Sequence, residues 1–282
     1  MATISILPRH SSAGKAIWKR SSRSCAFPSR RSGVTCEARS DGRALSRQGI
    51  PVSKSVPLTG MKKAIAEHMS NCHQQVASVS VFADFNVDAL IAARNQGRFE
   101  VEGVKVTLTH VLIRLVADTL RKFPLLNASI EDGAIQVLDD INIGMAAALP
   151  DGNLIVPVIR NADRLSIGEI AVEARRLAGL AADGKLGLAD IRGGTFTLTN
   201  VGMVRGTLWQ TPLVNLPQAG ILALGRIREA PVVRNGQLAV GSLMGASLSF
   251  DHRIINGFPA SQFMEALGDA IDNVAAHMEA KK

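Results

Sequence analysis

From residue 56 onward, two apolar periods take turns along the chain. In "VPLTGMKKAIAEHMSNC", Thr59 stands at an N-cap position ahead of Ala64, Ile65, His68 and Met69, which recur at helical spacing. "ASVSVFADFNV" (77–87) alternates and predicts a strand. "NVDALIAARNQG" predicts a short helix closed by Gly97. The clearest helical stripe is Leu108, Val111, Leu112, Leu115, Val116 and Leu120, and Pro124 follows its end. His110 lies beside that stripe and reads as a histidine at the edge of the core.

Further on, "NIGMAAALPDGNLIVPVI" sets two apolar runs around a Pro-Asp-Gly-Asn turn, which predicts a strand pair. Ser166 and Glu169 have the spacing of a capping box and open a helix over "LSIGEIAVEARRLAGLAADG". In "GGTFTLTNVG" (193–202), Phe196 and Leu198 face one way while Thr195, Thr197 and Thr199 face the other. "QAGILALGRI" is more continuously apolar, as a strand covered on both faces would be. "ASLSFDHR" alternates again, with Leu248 and Phe250 opposed to Ser247, Ser249 and Asp251. Phe263, Leu267, Ile271 and Val274 then mark a terminal amphipathic helix. Helices and strands interleave, so the expected fold is α+β: one domain over residues 52–282 behind a basic tail over residues 1–51.

Charge changes this picture only at the tail. Residues 1–50 carry ten Lys/Arg and two Asp/Glu, whereas residues 51–282 carry twenty-two of each. The net +8 of the 282-residue chain therefore belongs to the tail, and the folded part has no excess of positive charge for nucleic acid to recognise. From Met1 to Cys36 there is no acidic residue, and Ser and Arg recur. That composition fits a disordered extension of a bacterial, cytoplasmic protein; it also fits a transit peptide for a mitochondrion or plastid. No apolar run has the length of a membrane-spanning helix. Cys25, Cys36 and Cys72 form neither a disulfide framework nor a zinc pattern. No G-x-G-x-x-G or Walker-type loop supports nucleotide chemistry.

Candidate chemistry concentrates in "SFDHRIING" (249–257). A neutral imidazole at His252 is suited to take a proton from a thiol or hydroxyl near neutral pH. Asp251 and Arg253 on either side leave a second reading open, a structural ion-pair element at a strand end. Asn256-Gly257 is expected to form a tight turn that fixes the imidazole's surroundings. Thr199, also at a strand end, offers a hydroxyl that could hold a developing oxyanion. No cysteine lies near either motif, so a base and an oxyanion donor point to direct acyl transfer between two bound substrates. His68 and His73 lack further ligands at metal spacing, which argues against zinc.

The region from Val56 to Val274 resembles the catalytic domain of the dihydrolipoamide acyltransferases, the core acyltransferase subunits of 2-oxo acid dehydrogenase complexes. The resemblance runs in order through "VPLTGMKKAIAEHM", "FPLLNASI", "INIGMAAALPDGNLIVPVIRNADRLSIGEIA", "GGTFTLTNVG", "TPLVNLPQAGILALGRI" and "LSFDHRIINGFPASQFMEAL". It implies a two-layer α/β sandwich similar to chloramphenicol acetyltransferase. The family's His-x-x-x-Asp-Gly signature reads here as His252 followed by Asn256-Gly257. His252 would then be the general base on the thiol of coenzyme A or dihydrolipoyllysine, and Thr199 the oxyanion donor. Asn256 stands where most members carry Asp; its amide can orient the imidazole but brings no charge.

The same resemblance implies a homotrimer whose active site lies in a channel between subunits, His252 from one and Thr199 from its neighbour. Coenzyme A would enter as a substrate from one end and the dihydrolipoyl arm from the other, with no metal involved. A larger core built from such trimers stays open. Members usually carry lipoyl domains ahead of this region, and about fifty residues leave no room for one. The expected partners are therefore a lipoyl-bearing protein that supplies the group in trans and the other dehydrogenase components, with neither nucleic acid nor membrane. Two alternatives remain: a non-catalytic assembly core or regulatory homologue, and a CoA-dependent acyltransferase with a different acceptor. Met203, Leu208 and Trp209 are candidates for setting which acyl group is carried.

Overall fold

The computed structural model describes residues 44–96, 103–148 and 154–275. The chain divides into two units, Met1–Pro57 and Leu58–Lys282. Most of the expected tail lies outside the described residues. Its last stretch closes a small loop in which Leu45 bridges Pro51 and Val52 N–H donates to Ala44 O at 2.8 Å.

The second unit contains helices α1 (Gly60–Gln75), α2 (Asp88–Asn95), α3 (Leu108–Leu120), α4 (Ile167–Ala182), α5 (Leu188–Ile191) and α6 (Gly257–Asp272). Its strands are β1 (Ser78–Asn86), β2 (Ala128–Glu131), β3 (Ala134–Val137), β4 (Ile143–Met145), β5 (Ala147–Ala148), β6 (Leu154–Ile155), β7 (Val158–Ile159), β8 (Phe196–Asn200), β9 (Gly220–Arg234) and β10 (Gln237–Asp251). Six of them form one mixed sheet in the order β1-β10-β9-β8-β4-β7, so the α+β reading holds. The strand pair expected around residues 149–153 is real but broken: β4 pairs with β7 and β5 with β6. The predicted turn itself, like Gly97, falls outside the described residues.

Period-2 alternation decides which side of the sheet is dry. Phe196 and Leu198 of β8, Leu222 and Leu224 of β9, and Leu248 and Phe250 of β10 point into one core with α3 and α6. α6 adds Phe263, Leu267 and Ile271, all fully buried and each contributing about 2–3 kcal/mol of transfer free energy. Phe263 meets Phe123 edge-on at 5.7 Å. The other face of the sheet carries Thr197, Ser247, Ser249 and Asp251, and there Ile221 packs in a small apolar cluster with Val76, Val214 and Leu216. Helices therefore hold one face rigid, while small polar side chains furnish the other.

Helix starts follow the predicted chemistry, with one difference. Ser166 accepts from Glu169 N at 3.2 Å, and Glu169 Oε2 accepts from Ser166 N at 2.7 Å, completing the capping box. Thr59 holds the N-cap position of α1 but makes no side-chain cap bond.

The sequence reading missed two hairpins, each marked by an Asn-Gly or Asp-Gly pair. Asp132 and Gly133 have φ of 50° and 77° and join β2 to β3; Asn235 and Gly236, at 50° and 77°, join β9 to β10. Two successive residues in the left-handed region make the tight turn whose twist matches the flanking strands. β9 and β10 are consequently much longer than the apolar run "QAGILALGRI" predicts. β1 follows β10 only as far as Leu243, so the outer part of the hairpin exposes Val233, Leu238 and Val240.

Candidate active site

β10 ends at Asp251, and the chain turns sharply there because Asp251 takes up nearly every polar group within reach. Its N–H donates to Ala219 O at 2.9 Å, and its carbonyl accepts from Ile254 N at 2.9 Å and Ile255 N at 3.2 Å. Its carboxylate, 1% exposed, accepts from Arg253 N at 3.0 Å, Arg253 Nε at 2.9 Å and Arg253 Nη2 at 2.5 Å. The bond to Asp251 holds the Arg253 guanidinium above its usual pKa. Acid and guanidinium thus satisfy each other, and the imidazole between them is left out of the ion pair.

His252 is fixed through its main chain rather than its ring. Its N–H donates to Ala77 O at 2.9 Å, just past the end of α1, and the ring lies 5.9 Å from that of Phe250. The residue is exposed, and among the described residues its ring has no hydrogen-bond partner. Both ring nitrogens are therefore free to meet a substrate.

Asn256-Gly257 does not form the expected tight turn. Asn256 is the N-cap of α6 and Gly257 its first residue, while the chain reversal occupies 252–255. Asn is a favoured cap residue, so the helix start outcompetes the turn. The Asn256 side chain nevertheless makes no cap bond. Among the described residues its amide has no hydrogen-bond partner.

Thr199 sits near the end of β8, half-buried, between the parallel strands β4 and β9. Two other threonines share its face, and the structure distinguishes the three. The Thr195 hydroxyl accepts from Asn142 N at 3.0 Å, and the Thr197 hydroxyl donates to Gln218 Oε1 at 2.6 Å. Among the described residues the Thr199 hydroxyl has no such partner. Beyond it, Asn200 Nδ2 donates to Thr109 Oγ1 at 2.9 Å and Asn200 Oδ1 accepts from Gly202 N at 2.8 Å, which anchors the strand end.

The structure does not bring Thr199 and His252 together. Thr199 pairs with Ala223, which pairs with Ser247, and His252 follows five residues after Ser247. Two strand spacings across and five residues along put them roughly 20 Å apart. A cavity of about 490 Å³ opens where β8 and β9 begin, lined by Ser129, Thr195, Pro217 and Gln218 among others; neither Thr199 nor His252 lines it.

The segment 201–218 lies over β9 and β10. The Leu208 carbonyl rests on Gly225 and Gly245, where a Cβ on either glycine would overlap it. Trp209 donates Nε1 to Ala83 O at 3.3 Å, and the Arg228 guanidinium lies 5.3 Å from its ring centroid. Arg228 in turn forks onto Asp84 at 2.8 and 3.1 Å. Leu208 and Trp209 therefore have packing roles, whereas Met203 is 92% exposed. His68 bonds Asn215 Oδ1 at 2.7 Å, and buried Cys72 accepts from Leu216 N at 3.4 Å, tying α1 to the same segment. His110 is half-buried, and burial lowers its pKa. No three His, Cys, Asp or Glu side chains among the described residues group as metal ligands, and no helix among them is long and apolar enough to cross a membrane.

Residues 51–279 match the family model of the 2-oxoacid dehydrogenases acyltransferase (catalytic domain), and the chain belongs to that family. It is 39% identical over 207 residues to the dihydrolipoyllysine-residue acetyltransferase component of the pyruvate dehydrogenase complex of Bacillus subtilis, covering 72% of this chain and 46% of the relative. It is 36% identical over 221 residues to the succinyltransferase component of the 2-oxoglutarate dehydrogenase complex of Bartonella vinsonii subsp. berkhoffii, covering 77% and 53%. The chain thus spans about half the length of the curated relatives it matches. A solved structure of the Azotobacter vinelandii dihydrolipoamide acetyltransferase, in which a serine, a histidine and an asparagine were probed for catalytic roles, superposes with a TM-score of 0.75 at 33% identity, covering 80% of this chain and 94% of that one.

Proposed function

We propose that this protein moves an acyl group between coenzyme A and a dihydrolipoyl thiol by direct transfer. His252 takes the proton from the attacking thiol, and the resulting thiolate adds to the thioester carbonyl. The Thr199 hydroxyl donates to the oxyanion as the carbon becomes tetrahedral. The intermediate collapses by expelling the other sulfur, which recovers the proton from the imidazolium. Asn256 orients the ring through its amide. An oxyanion donor of this kind contributes about 3–4 kcal/mol to the transition state.

The observation that carries this reading is the freedom of the His252 ring beside a paired Asp251 and Arg253. A purely structural histidine at that position would be drawn into the ion pair; this one is left uncommitted. The A. vinelandii relative supports Asn256 in a working site, since its probed histidine and asparagine are separated as His252 and Asn256 are.

The distance between Thr199 and His252 favours a site completed by a second copy of the chain. Proton transfer and oxyanion stabilisation must act on one thioester within hydrogen-bond reach, and roughly 20 Å within one chain is too far. A cyclic homotrimer supplies each His252 with a neighbour's Thr199, and association with lipoyl-bearing and decarboxylating components of a 2-oxo acid dehydrogenase complex follows from the same reading. Because the relatives include acetyl and succinyl carriers, the test is a rate measurement with both acyl-CoA thioesters and free dihydrolipoamide. Turnover with either one supports the assignment. No transfer to dihydrolipoamide, with transfer to small amines or alcohols instead, would replace the acceptor.

A further inference from the structure

Nothing in acyl transfer requires a charged pair beside the base, yet Asp251 and Arg253 flank His252 and bond each other three ways through side chains. We propose that Asp251 and Arg253 together are positioning residues for His252: the carboxylate pins the turn that carries the imidazole and cancels the guanidinium charge that would otherwise weaken it as a base. This rests on His252 being the general base.

Two observations carry the proposal. Asp251 is the point where the turn is tied down, through its N–H to Ala219, its carbonyl to Ile254 and Ile255, and its carboxylate to the Arg253 main chain. It is also almost fully buried, while the Arg253 side chain is 43% exposed. Truncating the acid would therefore loosen the turn and leave a permanent positive charge one residue from the imidazole. A like charge nearby disfavours the imidazolium that the base must become.

The other elements that meet this turn bring little charge. The end of α1 and start of β1 offer Ala77 and Ser78, the 215–219 segment Gln218 and Ala219, and the start of α6 Asn256 and Gly257. β2 packs against Ile254 through Ala128 and Ile130. The titratable groups toward this end of α1 are His68, which bonds Asn215, Cys72, which accepts from Leu216 N, and His73; β2 carries Glu131, whose carboxylate accepts from Ser129, and α6 carries Glu265, Asp269 and Asp272 further along. All of them stay constant in the variants below.

The experiment compares Asp251→Asn, the double variant Asp251→Asn with Arg253→Gln, and Arg253→Lys. The titration midpoint of His252 is read in two ways. One is the acid limb of kcat/KM for acyl transfer. The other is the pH dependence of diethyl pyrocarbonate modification of the His252 peptide by mass spectrometry, which needs no catalysis. The asparagine variant should shift the midpoint down by about half a unit to one unit, and the double variant should return it to the wild-type value. Arg253→Lys keeps the charge and loses the fork, so it should keep the midpoint and lose about tenfold in kcat at unchanged KM. An unmoved midpoint in Asp251→Asn, or a double variant that stays shifted, overturns the electrostatic role. Wild-type kcat in Arg253→Lys overturns the positioning role. If the modification midpoints shift as described while acyl transfer is absent from the wild type, the assignment of the reaction fails and the pairing stands.

Discussion

Thr199 and His252 are carried by the same six-stranded sheet, two strands apart and five residues out of register, so that one lies toward the end of β8 and the other just beyond β10 at the opposite edge of the layer. Each has an uncommitted polar group, and neither can serve the other within one chain. In the proposed mechanism they are two half-sites. One is a strand-end hydroxyl and the other a strand-end imidazole, each held by main-chain bonds rather than by its own side chain.

In the proposed mechanism, removing the imidazole removes the base. His252→Ala should lower kcat for acyl transfer by about a hundredfold to ten-thousandfold. Because the residue is exposed and tied in through its N–H, thermal stability and oligomer size should be unchanged. Activity within a few-fold of wild type would show that another group takes the proton.

Thr199→Ala should cost about a hundredfold to a thousandfold in kcat with little change in KM, since in the proposed mechanism the hydroxyl acts on charge that develops only in the transition state. Thr199→Ser keeps the hydroxyl and should retain most of the rate. A loss expressed in KM alone would mean that the residue binds substrate without stabilising the oxyanion.

Asn256 occupies a cap position without using its side chain to cap. Asn256→Ala should therefore cost about 0.5 kcal/mol or less, against the ~1 kcal/mol typical of a lost cap, while still reducing kcat through a less well oriented ring. Urea melts at equal protein concentration provide the comparison. A full cap-sized loss of stability would contradict the geometry.

Stability should fall with acid through His110. Thr107 N donates to its Nδ1 at 3.2 Å, a bond that needs the neutral ring, and burial lowers the folded-state pKa below the ordinary value. Above the unfolded pKa of about 6.5 both states are neutral and the contribution is complete. As pH falls below it, the unfolded chain binds a proton first, and stability is lost until the folded pKa is passed. Replacing His110 with Gln should flatten the slope of unfolding free energy below about pH 6.5; an unchanged slope would assign the acid sensitivity elsewhere.

Gly225→Ala should destabilise by about 2–3 kcal/mol, because its Cβ would overlap the Leu208 carbonyl and force the 201–218 segment off the sheet. Gly179, with nothing within 4 Å of a new Cβ, is the control, and alanine there should be neutral or stabilising. Similar melts for both variants would mean that the segment yields freely.

The elements that could be read from sequence were those whose apolar residues repeat with the period of their own structure. The stripe of α3, the alternation of β8 and the apolar positions of α6 each point into the core, although α3 is buried all round from Val111 to Leu120 and β8 on both faces from Phe196 to Leu198. The outer halves of β9 and β10 were not foreseen, because their side chains alternate between partly covered and exposed and leave no apolar run. There the signal was the Asn235-Gly236 turn. At the site, "SFDHRIING" pointed to His252 by chemistry alone. The pairing of Asp251 with Arg253 was also legible there, since the two are neighbours but one, whereas the loss of the Thr195 and Thr197 hydroxyls to Asn142 and Gln218, which leaves that of Thr199 uncommitted, depends on contacts between distant segments. Local sequence carries no trace of them.

Mixing two inactive variants tests the shared site most directly. His252→Ala and Thr199→Ala proteins are combined in equal amounts, dissociated, and allowed to reassemble. If each site draws its imidazole from one chain and its hydroxyl from the next, about a quarter of the sites regain both groups, and acyl transfer should recover to about a quarter of the wild-type rate. A mixture that assembles yet remains as inactive as its two components would contradict a site built between subunits.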